Sequence, residues 1–169
     1  MARNIEIKAR AADLDSLAQK AMSIFDGIPV EILQDDTFFQ CPNGRLKLRV
    51  FADGTGQLIY YRRVDGQGPK ESFYKIAPTS EPDALRETLS QAYGLAGRVT
   101  KLRSLFVAGR TRIHLDRVDG LGDFVELEVV LADGDALEGG VAEAQRVMAQ
   151  LGIQQSQLVE GGYLDLLAA

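Results

Sequence analysis

The chain has 169 residues, of which 46% are hydrophobic and 25% are charged, and this is ordinary for one globular domain with a sizeable core. The net charge of −5 argues against a surface that binds nucleic acid in general, and the single cysteine, Cys41, excludes an internal disulfide. No apolar run is long enough to span a bilayer, and a strand pattern begins almost at once without a basic and apolar leader. We therefore expect a cytoplasmic protein with neither a membrane nor a nucleic acid as its partner.

Hydrophobic periodicity predicts strands and helices along the whole chain. Alternating polar and apolar residues between turn signals such as Pro42-Asn43-Gly44 indicate strands, and apolar stripes at helical spacing indicate helices. In chain order, we predict a strand at 3–10, a helix at 14–25, strands at 31–41, 45–51, 57–64 and 72–76, a helix at 83–93, strands at 99–106, 110–118 and 124–131, and a helix at 136–151. Short turns imply antiparallel pairing, and no linker divides the chain, so we expect one α+β domain over residues 1–169.

The strand at 45–51 is the most informative segment. Side chains alternate between the two faces of a strand, so Arg45, Lys47 and Arg49 share one face. The segments 4–8 and 124–129 alternate in the same way but carry carboxylates. The signs of charge are therefore sorted by strand, with cations at some strands and glutamates at another.

Two arrangements of these charged faces are open from the residues alone. Charged faces of half-buried strands usually lie in water around an apolar core. Alternatively, the three amphipathic helices cover the apolar faces from outside, and the charged faces line the bore of a closed barrel. We expect the second arrangement, a closed antiparallel eight-stranded β-barrel with a charged interior and helices packed outside. Such a bore suits a polyphosphate together with a divalent metal.

Six short segments, taken in order, resemble one known family. They are 6–8 (Glu-Ile-Lys), 45–49 (Arg-Leu-Lys-Leu-Arg), 60–63 (Tyr-Tyr-Arg-Arg), 101–103 (Lys-Leu-Arg), 112–116 (Arg-Ile-His-Leu-Asp) and 124–128 (Phe-Val-Glu-Leu-Glu). This ordered set is similar to the CYTH family, which contains class IV adenylyl cyclases and thiamine triphosphatases and belongs with the triphosphate tunnel metalloenzymes. The last two segments look closest to the class IV cyclase-like branch. The resemblance implies a triphosphate tunnel fold and metal-dependent chemistry on a triphosphate.

The resemblance also implies roles for the charged residues. The expected triphosphate contacts are Lys8, Arg45, Lys47, Arg49, Arg63, Lys75, Lys101, Arg103 and Arg112. Arg62 and Arg63 cannot both face inward, and the family pattern favours Arg63. The expected ligands for Mg²⁺ or Mn²⁺ are Glu6, Glu126 and Glu128. Asp116 is expected either to join the metal or to act as a base, and Lys8 is a second candidate for a catalytic role.

Three further residues are candidates for contact with substrate. Asn4 stands where the family signature Glu-x-Glu-x-Lys has its first glutamate. The expected metal site therefore has one negative charge fewer. An amide oxygen can still bind a hard cation. His114 is either a structural residue or a substrate contact and proton carrier. Lys70 lies in a predicted mobile loop at 65–70 and is a candidate to close over phosphate.

Three functions are consistent with these expectations. In a cyclase, the ribose 3′-oxygen of ATP attacks the α-phosphorus and pyrophosphate leaves. In a triphosphatase, water attacks the terminal phosphorus of inorganic triphosphate, thiamine triphosphate or a nucleotide. In a binding protein, a nucleotide or polyphosphate is held without reaction. We expect the cyclase, in a monomer or homodimer.

Overall fold

Eight strands form an antiparallel sheet that closes on itself in the computed structural model, which describes residues 1–25 and 27–169. Around the barrel the strands follow the order β1-β5-β4-β3-β2-β6-β7-β8, and β8 pairs with β1. The strands are β1 (Ala2–Arg10), β2 (Val30–Phe39), β3 (Arg45–Phe51), β4 (Gly56–Arg63), β5 (Lys70–Thr79), β6 (Leu95–Ala108), β7 (Thr111–Val118) and β8 (Gly122–Leu131). The predicted closed barrel is therefore confirmed.

Four α-helices lie outside the barrel within the described part of the chain. They are α1 (Leu14–Phe25), α2 (Pro82–Tyr93), α3 (Leu137–Gln150) and α4 (Tyr163–Ala168), and a short 3₁₀ helix spans Gln155–Gln157. The helix α1 connects β1 to β2, and α2 connects β5 to β6, so these two connections allow the β1–β5 and β2–β6 pairs that close the barrel. Among these helices, none is long and apolar enough to cross a membrane.

The main hydrophobic core lies between the outer face of the barrel and the helices α1 and α3. Ile5, Ile7 and Leu127 are at most 1% exposed and pack in this layer. At Gly140 of α3, an added Cβ would come within 2.8 Å of Ile5 Cγ1, so the helix approaches the strand closely because this position has no side chain. The apolar residues of β1 and β8 thus face outward, and their charged residues face inward.

Several element boundaries differ from the predicted ones. The strand β5 begins at Lys70 and has 10 residues, and β6 has 14, so both are longer than the predicted 72–76 and 99–106. The last helix, α4, was not predicted. It begins just after Gly161 and Gly162 and has only 6 residues, which are too few to show a clear helical period of hydrophobic residues.

Candidate functional site: the charged tunnel

The barrel encloses a cavity of about 480 Å³ that is lined by inward-facing side chains of all eight strands. This volume is in the range of small-molecule binding sites. Gly162 and Tyr163, at the start of α4, line one end of the cavity. At the other end Arg112 lines the cavity with a side chain that is 49% exposed, so this end is open to solvent and forms the mouth.

The cationic wall of the cavity is organised around one buried carboxylate, Asp36 on β2. Arg49 donates from Nε to Asp36 Oδ1 and from Nη2 to Oδ2, both at 2.8 Å. The Nζ atoms of Lys47 and Lys101 lie 3.2 Å and 3.3 Å from Asp36 Oδ2. Burial opposes the ionisation of Asp36, but the three cations hold the pKa of its carboxyl well below the usual range. Burial lowers the pKa of Lys47 to about 8 and that of Lys101 to about 7.

A second buried carboxylate, Asp116 on β7, forms an ion pair with Arg103. Arg103 donates from Nε and Nη2 to the two oxygens of Asp116 at 2.7 Å each, and the Tyr163 hydroxyl donates to Asp116 Oδ2 at 2.7 Å. Asp116 is 0% exposed and does not line the cavity. In this structure the Asp116 carboxylate binds Arg103 and Tyr163, and its expected role as a metal ligand or base stays a prediction.

The anionic wall consists of Glu6 on β1 and Glu126 and Glu128 on β8. Glu6 pairs in register with Glu128, and Lys8 pairs with Glu126, so the three carboxylates line neighbouring strands on the same face. Glu126 lies 3.2 Å from Lys8 Nζ and 3.1 Å from Arg103 Nη2, and Glu6 accepts from Arg63 at 2.8 Å. Burial opposes ionisation of Glu126, but Lys8 and its other neighbours hold the pKa of this carboxyl well below the usual range.

Glu128 is less tightly paired than the other two glutamates. Arg112 Nη1 and the imidazole Nε2 of His114 each lie 3.9 Å from its carboxylate oxygens. Among the described residues, no three His, Cys, Asp or Glu side chains come together as a protein cage for a metal. The anionic wall therefore presents separate carboxylates to the cavity.

Five of the expected triphosphate contacts lie well inside the tunnel. Lys47, Arg49, Arg63, Lys101 and Arg103 all line the cavity. Lys8 also lines it, and its Nζ donates to the Gly161 carbonyl and lies 3.9 Å from the centre of the Tyr163 ring. Arg62 instead faces out, where it stacks on Phe73.

Three cations predicted at the substrate are placed elsewhere. Lys75 is exposed on the outer face of β5 between the inward-facing Tyr74 and Ile76, so its assignment as a triphosphate contact is wrong. Arg45 pairs with Asp165 of α4 and does not line the cavity. Lys70 is the first residue of β5 and not part of a loop; it is 8% exposed, and its Nζ donates to the Gly66 carbonyl at 2.9 Å.

Within residues 1–25 and 27–169, three buried polar atoms at the cavity have no hydrogen-bond partner. They are Asn4 Oδ1, Gln34 Oε1 and His114 Nδ1. Burial lowers the pKa of His114, so its imidazole is neutral at neutral pH, and Nδ1 lies 3.5 Å from Glu126 Oε2. Because buried polar groups are normally paired, these atoms are available to a bound ligand.

The mouth differs in chemistry from the deep part of the tunnel. Ile32, Phe51, Ile76 and Leu105 line the cavity at the strand ends far from α4, and Tyr74 lies beside Ile76. Most of the charged side chains lie in the deep part, whereas the mouth combines Arg112 with this apolar and aromatic surface. A ligand that fits both parts has a strongly anionic end and a less polar end.

Two important residues were missed in the sequence. Asp36 follows Asp35, and only the pleat decides which of two adjacent aspartates faces inward; Asp35 faces out and pairs with Arg98. Tyr163 reaches the tunnel from α4, and no local pattern indicates that a residue near the end of the chain contacts Lys8 and Asp116. The alternation of Gln34, Asp36 and Phe38 with outward residues was the available signal for Asp36.

A closed eight-stranded barrel whose tunnel has a cationic wall facing a carboxylate wall defines the class of triphosphate tunnel folds. The chain belongs to the CYTH domain family, which matches residues 2–163.

Individual relatives are similar over nearly the whole chain. The adenylate cyclase CyaB of Aeromonas hydrophila is 24% identical over 172 residues, which cover 96% of this chain and 87% of CyaB. The PH1012 protein of Pyrococcus horikoshii OT3 has a similar structure, with a TM-score of 0.84, 20% identity, and coverage of 97% of this chain and 99% of that one. HpAC1 of Hippeastrum superposes with a TM-score of 0.67 at 15% identity, covering 99% and 95% of the two chains. The two structural similarities support the fold.

Proposed function

We propose that this protein is a metal-dependent enzyme that acts on a triphosphate, and that its reaction is the conversion of ATP to cyclic AMP and pyrophosphate. The observation that carries the proposal is that one cavity holds most of its charged side chains in the deep part and offers apolar and aromatic surface at the mouth. The cyclase name of the Aeromonas relative supports the same reaction.

The deep cations are suited to a triphosphate chain. Arg49, Arg63 and Arg103 offer forked donors that match phosphate oxygens, and Lys47 and Lys101 offer compact charges on the same wall. A triphosphate spreads several negative charges over many oxygens, so it can pair with several of these side chains at once. Displacement at phosphorus depends mainly on positioning and on electrostatic stabilisation, and a buried cationic wall supplies both.

The carboxylate wall fits a divalent cation that is shared with substrate. Mg²⁺ is usually held by one or two carboxylates together with substrate phosphates, which suits the separate carboxylates of Glu6, Glu126 and Glu128. The unpartnered Asn4 Oδ1 adds a neutral oxygen at the same wall. Mg²⁺ or Mn²⁺, when bound, would neutralise negative charge on the phosphate oxygens.

The apolar mouth gives the base and ribose of ATP a place to lie. In the proposed reaction the ribose 3′-hydroxyl loses its proton to solvent and its oxygen forms a bond to the α-phosphorus, and the bond from that phosphorus to the bridging oxygen breaks, so that pyrophosphate leaves. The deep cations hold the β- and γ-phosphates, which become the leaving group, and Phe51 and Ile76 at the mouth contact the base. Inorganic triphosphate has no group to occupy this surface.

A triphosphatase is the second candidate. The deep part of the tunnel provides most of the cations by itself, and binding a terminal phosphate there requires no base at the mouth. HpAC1 of Hippeastrum, which has the same fold, is described as having a dominant triphosphatase activity. A protein that binds nucleotide without reaction is the third possibility, since Asn4 leaves the anionic wall one charge short.

A product assay separates the three functions. The protein is incubated with ATP and, separately, with inorganic triphosphate, each with Mg²⁺ and with Mn²⁺. Cyclic AMP and pyrophosphate are the expected products from ATP. Orthophosphate without cyclic AMP would indicate a triphosphatase and not a cyclase. If the protein binds its ligand but none of the four mixtures gives a product, it is a binding protein.

A further inference from the structure

Asp36 places a negative charge in the middle of an otherwise cationic wall. Its side chain is 1% exposed, and it contacts Arg49, Lys47 and Lys101 at distances of 2.8–3.3 Å. By Coulomb's law alone, a fixed carboxylate here repels a triphosphate. Removing the charge of Asp36 should then strengthen triphosphate binding. The opposite result is expected if the effect of the carboxylate on the three cations favours binding by more than its repulsion opposes it.

The geometry of the cluster shows how Asp36 acts on the three cations. Arg49 is fixed by two parallel hydrogen bonds, which set the plane of its guanidinium. Lys47 and Lys101 come from different strands, β3 and β6, and meet only at Asp36 Oδ2. Without that oxygen, two ammonium groups and a guanidinium would lie close together in a buried place with nothing between them.

We propose that Asp36 is a positioning residue of the tunnel, and that its carboxylate holds the three neighbouring cations as a charged array that binds triphosphate more tightly than the same wall would without it. This inference rests on the proposed function in that its ligand is a triphosphate. It reverses the simple electrostatic expectation for a carboxylate in an anion site.

The protonation of the two lysines distinguishes positioning by Asp36 from a merely structural role. A structural defect would not change the pH at which the lysines lose their protons. Burial lowers the pKa of Lys47 to about 8 and of Lys101 to about 7, and Asp36 raises both. The other ionisable groups that face the two lysines are Arg49 on β3, Arg103 on β6, Tyr61 on β4 and Tyr163 on α4. The two arginines stay protonated, and burial raises the pKa of Tyr61 to about 12 and that of Tyr163 well above its usual range, so both tyrosines stay neutral. The lysines therefore dominate the pH dependence of this wall near neutrality.

The test compares Asp36→Asn with Asp35→Asn by calorimetric titration of inorganic triphosphate between about pH 6 and about pH 9 at low salt, with Mg²⁺ and again with EDTA. Asp35 is the matched control, because it is the adjacent aspartate on the same strand but faces outward, where Arg98 donates to it. We expect triphosphate affinity in the wild-type protein to fall as the lysines lose their protons. In Asp36→Asn this fall should occur at lower pH, with a loss of about tenfold near pH 8 for each unit by which a lysine pKa drops.

Four outcomes decide the inference. Asp36→Asn binding that is unchanged or tighter near neutral pH overturns it, and so does a loss that is equal at every pH, since that would be a structural defect. Asp35→Asn should follow the wild-type profile, and a matching shift in this control also overturns the assignment to Asp36. If the wild-type protein binds no triphosphate in either condition, the proposed function fails together with the inference.

A second variant keeps the test open if Asp36→Asn does not fold, which circular dichroism reports. Asp36→Glu retains the charge but moves it by one methylene, so we expect weaker binding with the wild-type pH profile. Binding as tight as that of the wild-type protein would show that the position of the carboxylate is unimportant and would overturn the positioning role.

Discussion

The hydroxyl of Tyr163 joins α4 to the barrel through a hydrogen bond to Asp116. Tyr163→Phe removes the hydrogen bond to Asp116 Oδ2 at 2.7 Å but keeps the ring, which lies 3.9 Å from Lys8 Nζ and packs edge-on against Phe124 at 5.0 Å. A hydrogen bond to a charged group contributes about 1.5–3 kcal/mol. Asp116 is 0% exposed, so water does not replace the lost donor without rearrangement.

We therefore expect Tyr163→Phe to lower the free energy of unfolding by about 1.5–3 kcal/mol. For a chain of this size each kcal/mol corresponds to about 2–4 °C, which gives a decrease in Tm of about 3–12 °C. Thermal and urea unfolding followed by circular dichroism measure both quantities. Tyr163→Ala also removes the ring and should cost more, about 3–5 kcal/mol.

Tyr93→Phe is the matched control, because Tyr93 ends α2 and is 60% exposed. This control should unfold like the wild-type protein. If Tyr163→Phe is as stable as the wild-type protein, the hydroxyl does not hold α4 against Asp116, and the account of how this end of the tunnel is closed is refuted.

Three other substitutions test the tunnel. Glu126→Gln combined with Glu128→Gln should abolish metal-dependent turnover with an unchanged circular dichroism spectrum; turnover near the wild-type level would count against the carboxylate wall. Arg49→Ala should weaken triphosphate binding at least tenfold, most clearly at low salt, since a charge-assisted contact is lost, whereas Lys75→Ala on the outer face should leave the calorimetric affinity unchanged. Asn4→Glu should strengthen Mn²⁺ binding in a metal titration, and an unaltered affinity would place position 4 outside the metal site.

The sequence predicted the barrel better than it predicted individual contacts. Alternation at Arg45-Lys47-Arg49 and at Glu126-Glu128 was enough to assign which side chains share a face, because the period of a strand is fixed at two residues. The same rule excluded that Arg62 and Arg63 both face inward, and the family resemblance favoured Arg63. The resemblance failed at Lys75, because Ser72, Tyr74 and Ile76 face inward on β5 and leave Lys75 on the opposite face.

Asp116 shows why inward orientation does not establish a functional role. Its position on β7 made it a candidate for metal or base, but Arg103 and Tyr163 occupy its oxygens and exclude it from the cavity. Arg103 lies opposite Asp116 on the neighbouring strand β6, but Tyr163 comes from α4, which is distant in sequence. Local spacing carries no information about Tyr163.

The sequence by itself determined which side chains share a face, where the helices that cover the apolar faces lie, and that charges of opposite sign occur on different strands. These properties follow from periods of 2 and 3.6 residues, which depend only on neighbours along the chain. Only the tertiary structure decided that Asp36 gathers Lys47, Arg49 and Lys101, and that Tyr163 closes the end of the tunnel. The contacts of Lys101 and Tyr163 depend on how β6 and α4 pack against segments that lie far from them in the sequence.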